Sequence, residues 1–162
     1  MSKIKFIALI GLLVLTASFT STLSTKQVKC MVQLINYEGE GAYVIVSVVD
    51  KDDKYLTTLK VLGDDPEWYH EIDSWWAYYG KKRYSLDAVT GATISGGERS
   101  IFQLAIDEEY FAEGNKLRFE TAVEEQKYFE ADLEIPLGGS ELNAKAEGTG
   151  YIRYVRLIES TQ

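Results

Sequence analysis

Short runs of alternating apolar and polar residues recur through most of the chain, and this period of two limits its fold more than any other feature. Seven such runs are Val28 to Ile35, Ala42 to Val49, Tyr55 to Leu62, Ile101 to Ile106, Leu117 to Val123, Tyr128 to Leu133 and Tyr151 to Ile158. They are rich in Val, Ile, Tyr and Phe, side chains that pack well on a pleated surface. A strand with one apolar face must cover that face, and two sheets laid together do so directly. The expected fold is therefore mainly β, a two-sheet antiparallel β-sandwich of immunoglobulin-like type. Turn chemistry separates the runs at Glu38-Gly39-Glu40-Gly41, Asp50-Lys51-Asp52-Asp53, Glu113-Gly114-Asn115 and Gly138-Gly139-Ser140. The first two of these predict hairpin connections.

The alternation stops in the middle of the chain. Asp64-Asp65-Pro66-Glu67 places a capping acid before a proline at a first helical turn. Trp68, Ile72, Trp75 and Tyr79 then recur at helical spacing, and Gly80 supplies a stop. This predicts one short aromatic helix covering an end or edge of the sandwich, with those four side chains packed in the core. Tyr69, Trp76, Tyr78 and Tyr84 fall off that stripe, so they are read as core or as a binding face with equal weight.

The N-terminus reads as a secretory leader. Lys3 and Lys5 precede an apolar run from Phe6 to Leu15, followed by a tract of small polar residues to Thr25. Residues 1–25 are thus expected to be a signal peptide and 26–162 a single domain, exported to the periplasm or cell envelope with no membrane insertion after cleavage. The chain has 17 Lys and Arg against 25 Asp and Glu, a net charge of −8 that becomes −10 when Lys3 and Lys5 leave with the leader. Such a surface repels phosphate backbones, which argues against nucleic acid as a partner. Cys30 is the single cysteine, so no internal disulfide is available. It sits in an alternating run and reads as a buried strand residue rather than a reactive thiol. His70, the single histidine, cannot by itself build a zinc or haem site and reads as exposed on the helix. Asp50, Asp52 and Asp53 lack the glycine and distal glutamate of a calcium loop and read as a solvated turn.

One segment carries chemistry. Asp87-Ala88-Val89-Thr90-Gly91-Ala92-Thr93 is a loop of small residues with two hydroxyls and an acid, in which Gly91 lets another molecule approach the backbone. By loop chemistry alone an ordinary turn is the simpler reading. The segment resembles the Asp-x-x-(Ser/Thr)-Gly-Ala-Thr pattern that bacterial FMN transferases recognise in the flavin subunits of membrane redox pumps. That resemblance implies Thr93 as the residue esterified to the FMN phosphate and Asp87, Thr90, Gly91 and Ala92 as recognition positions. A flavin ring held there would gain from stacking on an aromatic such as Trp76 or Tyr84. Asp87 or Glu98 would favour the oxidised ring over its anionic reduced form.

A wider resemblance covers most of the mature chain. Tyr55-Leu56-x-x-Leu59, Trp75-Trp76, the Asp87 to Thr93 segment and Gly148-x-Gly150 before the last run resemble the periplasmic family called domain of unknown function 2271. That family implies FMN transferases and membrane or extracellular redox proteins as partners. The expectation is an exported redox carrier with covalent FMN on Thr93, a substrate of a transferase rather than an enzyme. The alternative is a flavin-free β-sandwich interaction module of the cell envelope.

Overall fold

The computed structural model describes residues 24–80, 90–138, 142–143 and 145–159. Residues 1–23 of the expected leader lie outside them, and so do Tyr84 and Asp87. The seven alternating runs form seven strands: β1 (Thr25–Leu34), β2 (Tyr43–Val49), β3 (Tyr55–Leu62), β5 (Arg99–Asp107), β6 (Lys116–Ala122), β7 (Tyr128–Pro136) and β9 (Ile152–Glu159). Two further strands of two residues each, β4 (Thr90–Gly91) and β8 (Lys145–Ala146), are too short to show an alternation.

The strands make a four-stranded sheet ordered β5-β1-β9-β8 and a five-stranded sheet ordered β4-β3-β2-β6-β7. All pairings are antiparallel except β3 with β4. The expected two-sheet sandwich is what forms. Its core between the sheets brings Val28, Cys30 and Val32 of β1 against Val44, Val46 and Val48 of β2, with Leu104, Leu117, Phe119 and Leu157 around them. Cys30 is fully buried, and burial pushes its thiol up to about 12, so it stays protonated and inert.

The two expected hairpins divide. Asp50–Asp53 does join neighbouring antiparallel strands, and the Asp50 carboxylate accepts from the amides of Asp52 and Lys54 at 2.8 and 3.0 Å. Glu38–Gly41 instead carries the chain from one sheet to the other, because β1 and β2 lie in different sheets. A glycine-bearing turn specifies reversal, and only packing decides whether the return strand pairs or crosses over.

The helical segment departs from its expected form in two ways. It begins as a 3-10 helix, Pro66–Glu71, with the Asp65 side chain accepting from the Glu67 amide at 2.9 Å. Ile72 then leaves helical geometry and α1 (Asp73–Tyr79) follows. With three residues per turn, the buried face runs through Tyr69, Ile72 and Trp75, and Trp68 moves to the flank. Tyr69 is therefore core, its hydroxyl donating to the Gly63 carbonyl at 2.8 Å. Tyr78 is half-buried, stacked on Tyr55 with its hydroxyl on the Leu56 carbonyl. Of the off-stripe aromatics in the described residues, Trp76 alone is exposed, at 37%.

The segment also covers a face rather than an end or edge. Tyr43, Ile45, Val61 and Ala122 turn outward from the five-stranded sheet and pack against Tyr69, Ile72 and Trp75. Every residue of β2 is consequently buried, which is why this strand reads as Tyr-Val-Ile-Val-Ser-Val-Val. Beside that aromatic layer the same outer face becomes polar. The Arg118 guanidinium pairs with Asp53 and Glu134, and Lys116 bridges the same two carboxylates. Glu120 is fully buried and takes a hydrogen bond from the Tyr128 hydroxyl, while its other oxygen has no partner. Burial pushes the Glu120 carboxyl up to about 7, more than the Tyr128 bond and the Arg118 charge can offset.

A candidate modification loop at one end of the sandwich

Strand β3 ends at Leu62 and turns away toward the helical segment through Gly63, whose φ of +136° a side chain would strain. A Cβ there would also lie 2.0 Å from the Tyr43 ring. The space beyond the end of β3 is taken by the Thr90–Ile94 segment. Thr90 and Gly91 pair with Val61 and Leu62, and the Gly91 carbonyl accepts from the Gly63 amide. Three residues on, Ile94 exchanges two backbone hydrogen bonds with Ala42, at 2.8 and 3.0 Å, and buries its side chain in the core. The turn after it is fastened to β1, with Gly97 donating to the Ile35 carbonyl and Leu34 donating to that of Glu98.

Ala92 and Thr93 are thus held between two backbone anchors. Ala92 is exposed and Thr93 half-buried. The Thr93 hydroxyl lies against Gly41, where a Cβ would fall 2.3 Å from the oxygen, so the missing side chain makes the hollow in which it sits. No hydrogen bond to this hydroxyl is made within the described residues. A hydroxyl on a half-buried side chain, with no hydrogen-bond partner among the described residues, keeps its donor and acceptor capacity for another molecule.

Three neighbours escaped the reading of the sequence. The Tyr37 hydroxyl sits 2.9 Å from the Ile94 carbonyl and 3.0 Å from that of Glu40, tying the turn before β2 to the loop. Burial raises the Tyr37 phenol above its ordinary value, so it remains a donor. Its ring packs 4.9 Å from Tyr151, which meets Phe129 edge-on at 5.3 Å. The Lys60 ammonium lies 3.4 Å from the Thr90 carbonyl and 3.9 Å from where a Gly91 side chain would begin. Gly41 is the third, and its place in a Glu-Gly-Glu-Gly turn was a signal for flexibility but not for contact with residue 93. Nothing in the sequence links position 60 or 37 to position 90, since these contacts arise from strand pairing and crossing.

Of the expected site residues, Tyr84 and Asp87 lie outside the described residues. Thr90, Gly91, Ala92 and Thr93 form one continuous loop. Gly91 is tight as well as permissive, because a Cβ would stand 3.2 Å from Leu62. Trp76 sits on α1, where its ring neighbours are Tyr69, Trp75 and Tyr79, at 6.1 to 6.2 Å. His70 is exposed, with its ring nitrogen 2.7 Å from the Glu67 carbonyl. Among the described residues no group of acidic, Cys or His side chains is placed to hold a metal ion.

Close to the loop, one carboxylate explains the Gly148-x-Gly150 landmark. Asp132 accepts from the amides of Thr149, Gly150 and Ile152 and from the Thr121 hydroxyl. A Cβ at Gly148 would meet Asp132 at 2.6 Å, and one at Gly150 would meet the Phe129 ring at 2.5 Å. These glycines shape the end of the sandwich on which the loop rests.

Fold and loop together define a class: a two-sheet β-sandwich presenting, between two backbone anchors, a threonine hydroxyl with no hydrogen-bond partner among the described residues. The chain belongs to the family described as predicted periplasmic protein, DUF2271, whose model matches residues 25–154. Neither the curated proteins nor the solved structures contain a match. Among the described residues no helix is long and apolar enough to cross a membrane.

Proposed function

We propose that this periplasmic-family protein carries FMN, attached covalently through the Thr93 hydroxyl, and serves as an electron carrier outside the cytoplasm. The observation that carries the reading is the Thr93 side chain itself, half-buried, with no hydrogen-bond partner among the described residues, its hydroxyl lodged over Gly41 on a pinned backbone. A phosphate ester adds bulk at that oxygen, and the exposed Ala92 beside it leaves an approach for a transferase. The Lys60 ammonium supplies a positive charge beside the motif in a protein that is otherwise strongly acidic.

In the attachment step the Thr93 oxygen forms a bond to the phosphorus of an activated FMN donor. The phosphate bond to the donor's leaving group breaks, that group keeps the electron pair, and the hydroxyl proton passes to a base of the transferase. FMN, once bound, supplies reversible uptake and release of electrons; the tether prevents its loss in a dilute compartment. The chain's own part is to hold the ester oxygen fixed through the Gly63–Gly91 and Ala42–Ile94 backbone bonds.

Intact mass tests this. Co-expression with an FMN transferase should add the mass of one FMN less one water, and Thr93→Ala should abolish the addition while the protein still folds. An unchanged parent mass would refute the proposal. It would favour the flavin-free interaction module, for which the exposed Ile101 and Ile158 on the outer face of the four-stranded sheet offer a contact surface.

A further inference from the structure

Among the described residues, two strand edges lie without a full partner on the same side of the sandwich. Strand β5 is the outermost strand of its sheet, and β4 pairs only with the last two residues of β3. Between β5 and the unpaired part of β3 runs a cleft of about 310 Å³, half open to solvent. Thr57, Leu59 and Lys60 line one wall, and Gln103, Ala105 and Asp107 the other, with Tyr110 closing it. That volume is at the small end of the range for ligand sites, room for a flat ring system entering edgewise.

Lys60 joins this cleft to the modification loop. Its ammonium touches the Thr90 carbonyl while its stem lines the cleft. Gly91, beside that ammonium, is two residues from Thr93, about 7 Å along an extended chain. A ribityl phosphate chain is longer than this when extended. Given the reading that Thr93 carries FMN, we infer that its isoalloxazine ring is seated in the β3–β5 cleft, with Lys60 facing the ring's pyrimidine edge.

The lining suits the two ends of such a ring. Its pyrimidine edge alternates carbonyl oxygens with an N–H, and Lys60 and Gln103 offer donors while the Gln103 amide and Asp107 offer acceptors. Leu59 and Ala105 give apolar contact for the benzenoid end, and Ala105 is small enough to leave the ring its space. Lys60 is the cation among these lining residues, and Asp107 already accepts from the Thr25 hydroxyl at 2.7 Å. A positive charge at the pyrimidine edge stabilises the negative charge gained on reduction and so raises the midpoint potential. The half-open side leaves one ring edge at the surface, as exchange with a partner requires. On this assignment the stacking role expected for Trp76 is not used.

The test uses the FMN-loaded chain, with intact mass measured alongside every variant. Ala105→Trp fills the cleft from an exposed position and should raise iodide quenching of flavin fluorescence several-fold at full FMN loading. Lys60→Gln should lower the midpoint potential at full loading, Lys60→Arg should restore it, and Trp76→Ala should leave both readouts unchanged. Full loading with unaltered quenching in Ala105→Trp and unaltered potential in Lys60→Gln would overturn the seat but leave Thr93 as the attachment point. A rise in quenching from Trp76→Ala instead would move the ring to the helix face and overturn it equally. If the parent gains no mass, the attachment reading fails and the seat fails with it.

Discussion

Thr93 reacts or stays silent according to its neighbours, and Gly41 is the most telling of them. Any side chain at position 41 presses on the Thr93 hydroxyl, starting with a Cβ at 2.3 Å. Gly41→Ala should therefore slow FMN loading by about tenfold, equivalent to ~1.4 kcal/mol of displacement at the reacting oxygen, with the mature fold retained. Timed mass spectrometry during transferase treatment reads this directly, and an unchanged rate would mean that the hydroxyl turns out of its hollow freely. Asp132 works by a different route, as the common acceptor for one hydroxyl and three amides. Asp132→Ala strands those donors in a buried place and should cost about 3–5 kcal/mol of stability, seen as a lower urea midpoint. A loss below about 1 kcal/mol would show that water replaces the carboxylate at little cost.

At the scale of elements, the helical segment acts as a lid on the outer face of the five-stranded sheet. Trp75 is its anchor, fully buried, stacked on Tyr79 at 4.9 Å and hydrogen-bonded through its indole nitrogen to Thr58 at 2.9 Å. Trp75→Ala should cost about 3–5 kcal/mol in chemical denaturation, from lost burial plus the cavity left behind. Trp76→Ala, one residue on and partly exposed, should cost less than about 1 kcal/mol. Equal losses from the two would contradict the burial pattern. The sequence marked a helix here correctly from its cap and aromatic spacing. It could not place the phase, because Ile72 breaks the helix and the 3-10 turn before it repeats every three residues.

Across the whole molecule, one buried acid links folding to pH. The Glu120 carboxyl is raised from 4.5 to about 7 in the folded protein. Between those values the native state keeps a proton that the unfolded chain has released. Folding then takes up a proton, so stability is greatest below the unfolded value and declines as pH rises through the window. At about 1.4 kcal/mol per pKa unit, the decline reaches roughly 3 kcal/mol by pH 8. Relative to Glu120→Gln, the parent should lose this much between pH 4 and pH 8 in denaturant titrations. Parallel profiles for the two proteins would show that the carboxyl ionises without penalty. No sequence pattern announced this acid: it sits at an outward position of β6, and only the helical layer with Tyr55 and Tyr128 removes it from water.

What the chain determined by itself is local. Runs rich in β-branched and aromatic residues yield seven strands, capping chemistry starts the helical segment at Asp65, and Asp50 shapes its own hairpin, because each depends on residues a few positions apart. The small residues from Thr90 to Thr93 likewise run as a short strand into a loop in which Ala92 is exposed. Tertiary structure decided what required distant residues to meet. It sent the Glu38–Gly41 turn from one sheet to the other and laid the helices on a face. It also set Gly41 under Thr93, and Lys60 between the loop and the cleft. Those contacts follow from which apolar faces find one another across the sandwich, a choice made by the whole set of strands and written in no single stretch of the chain.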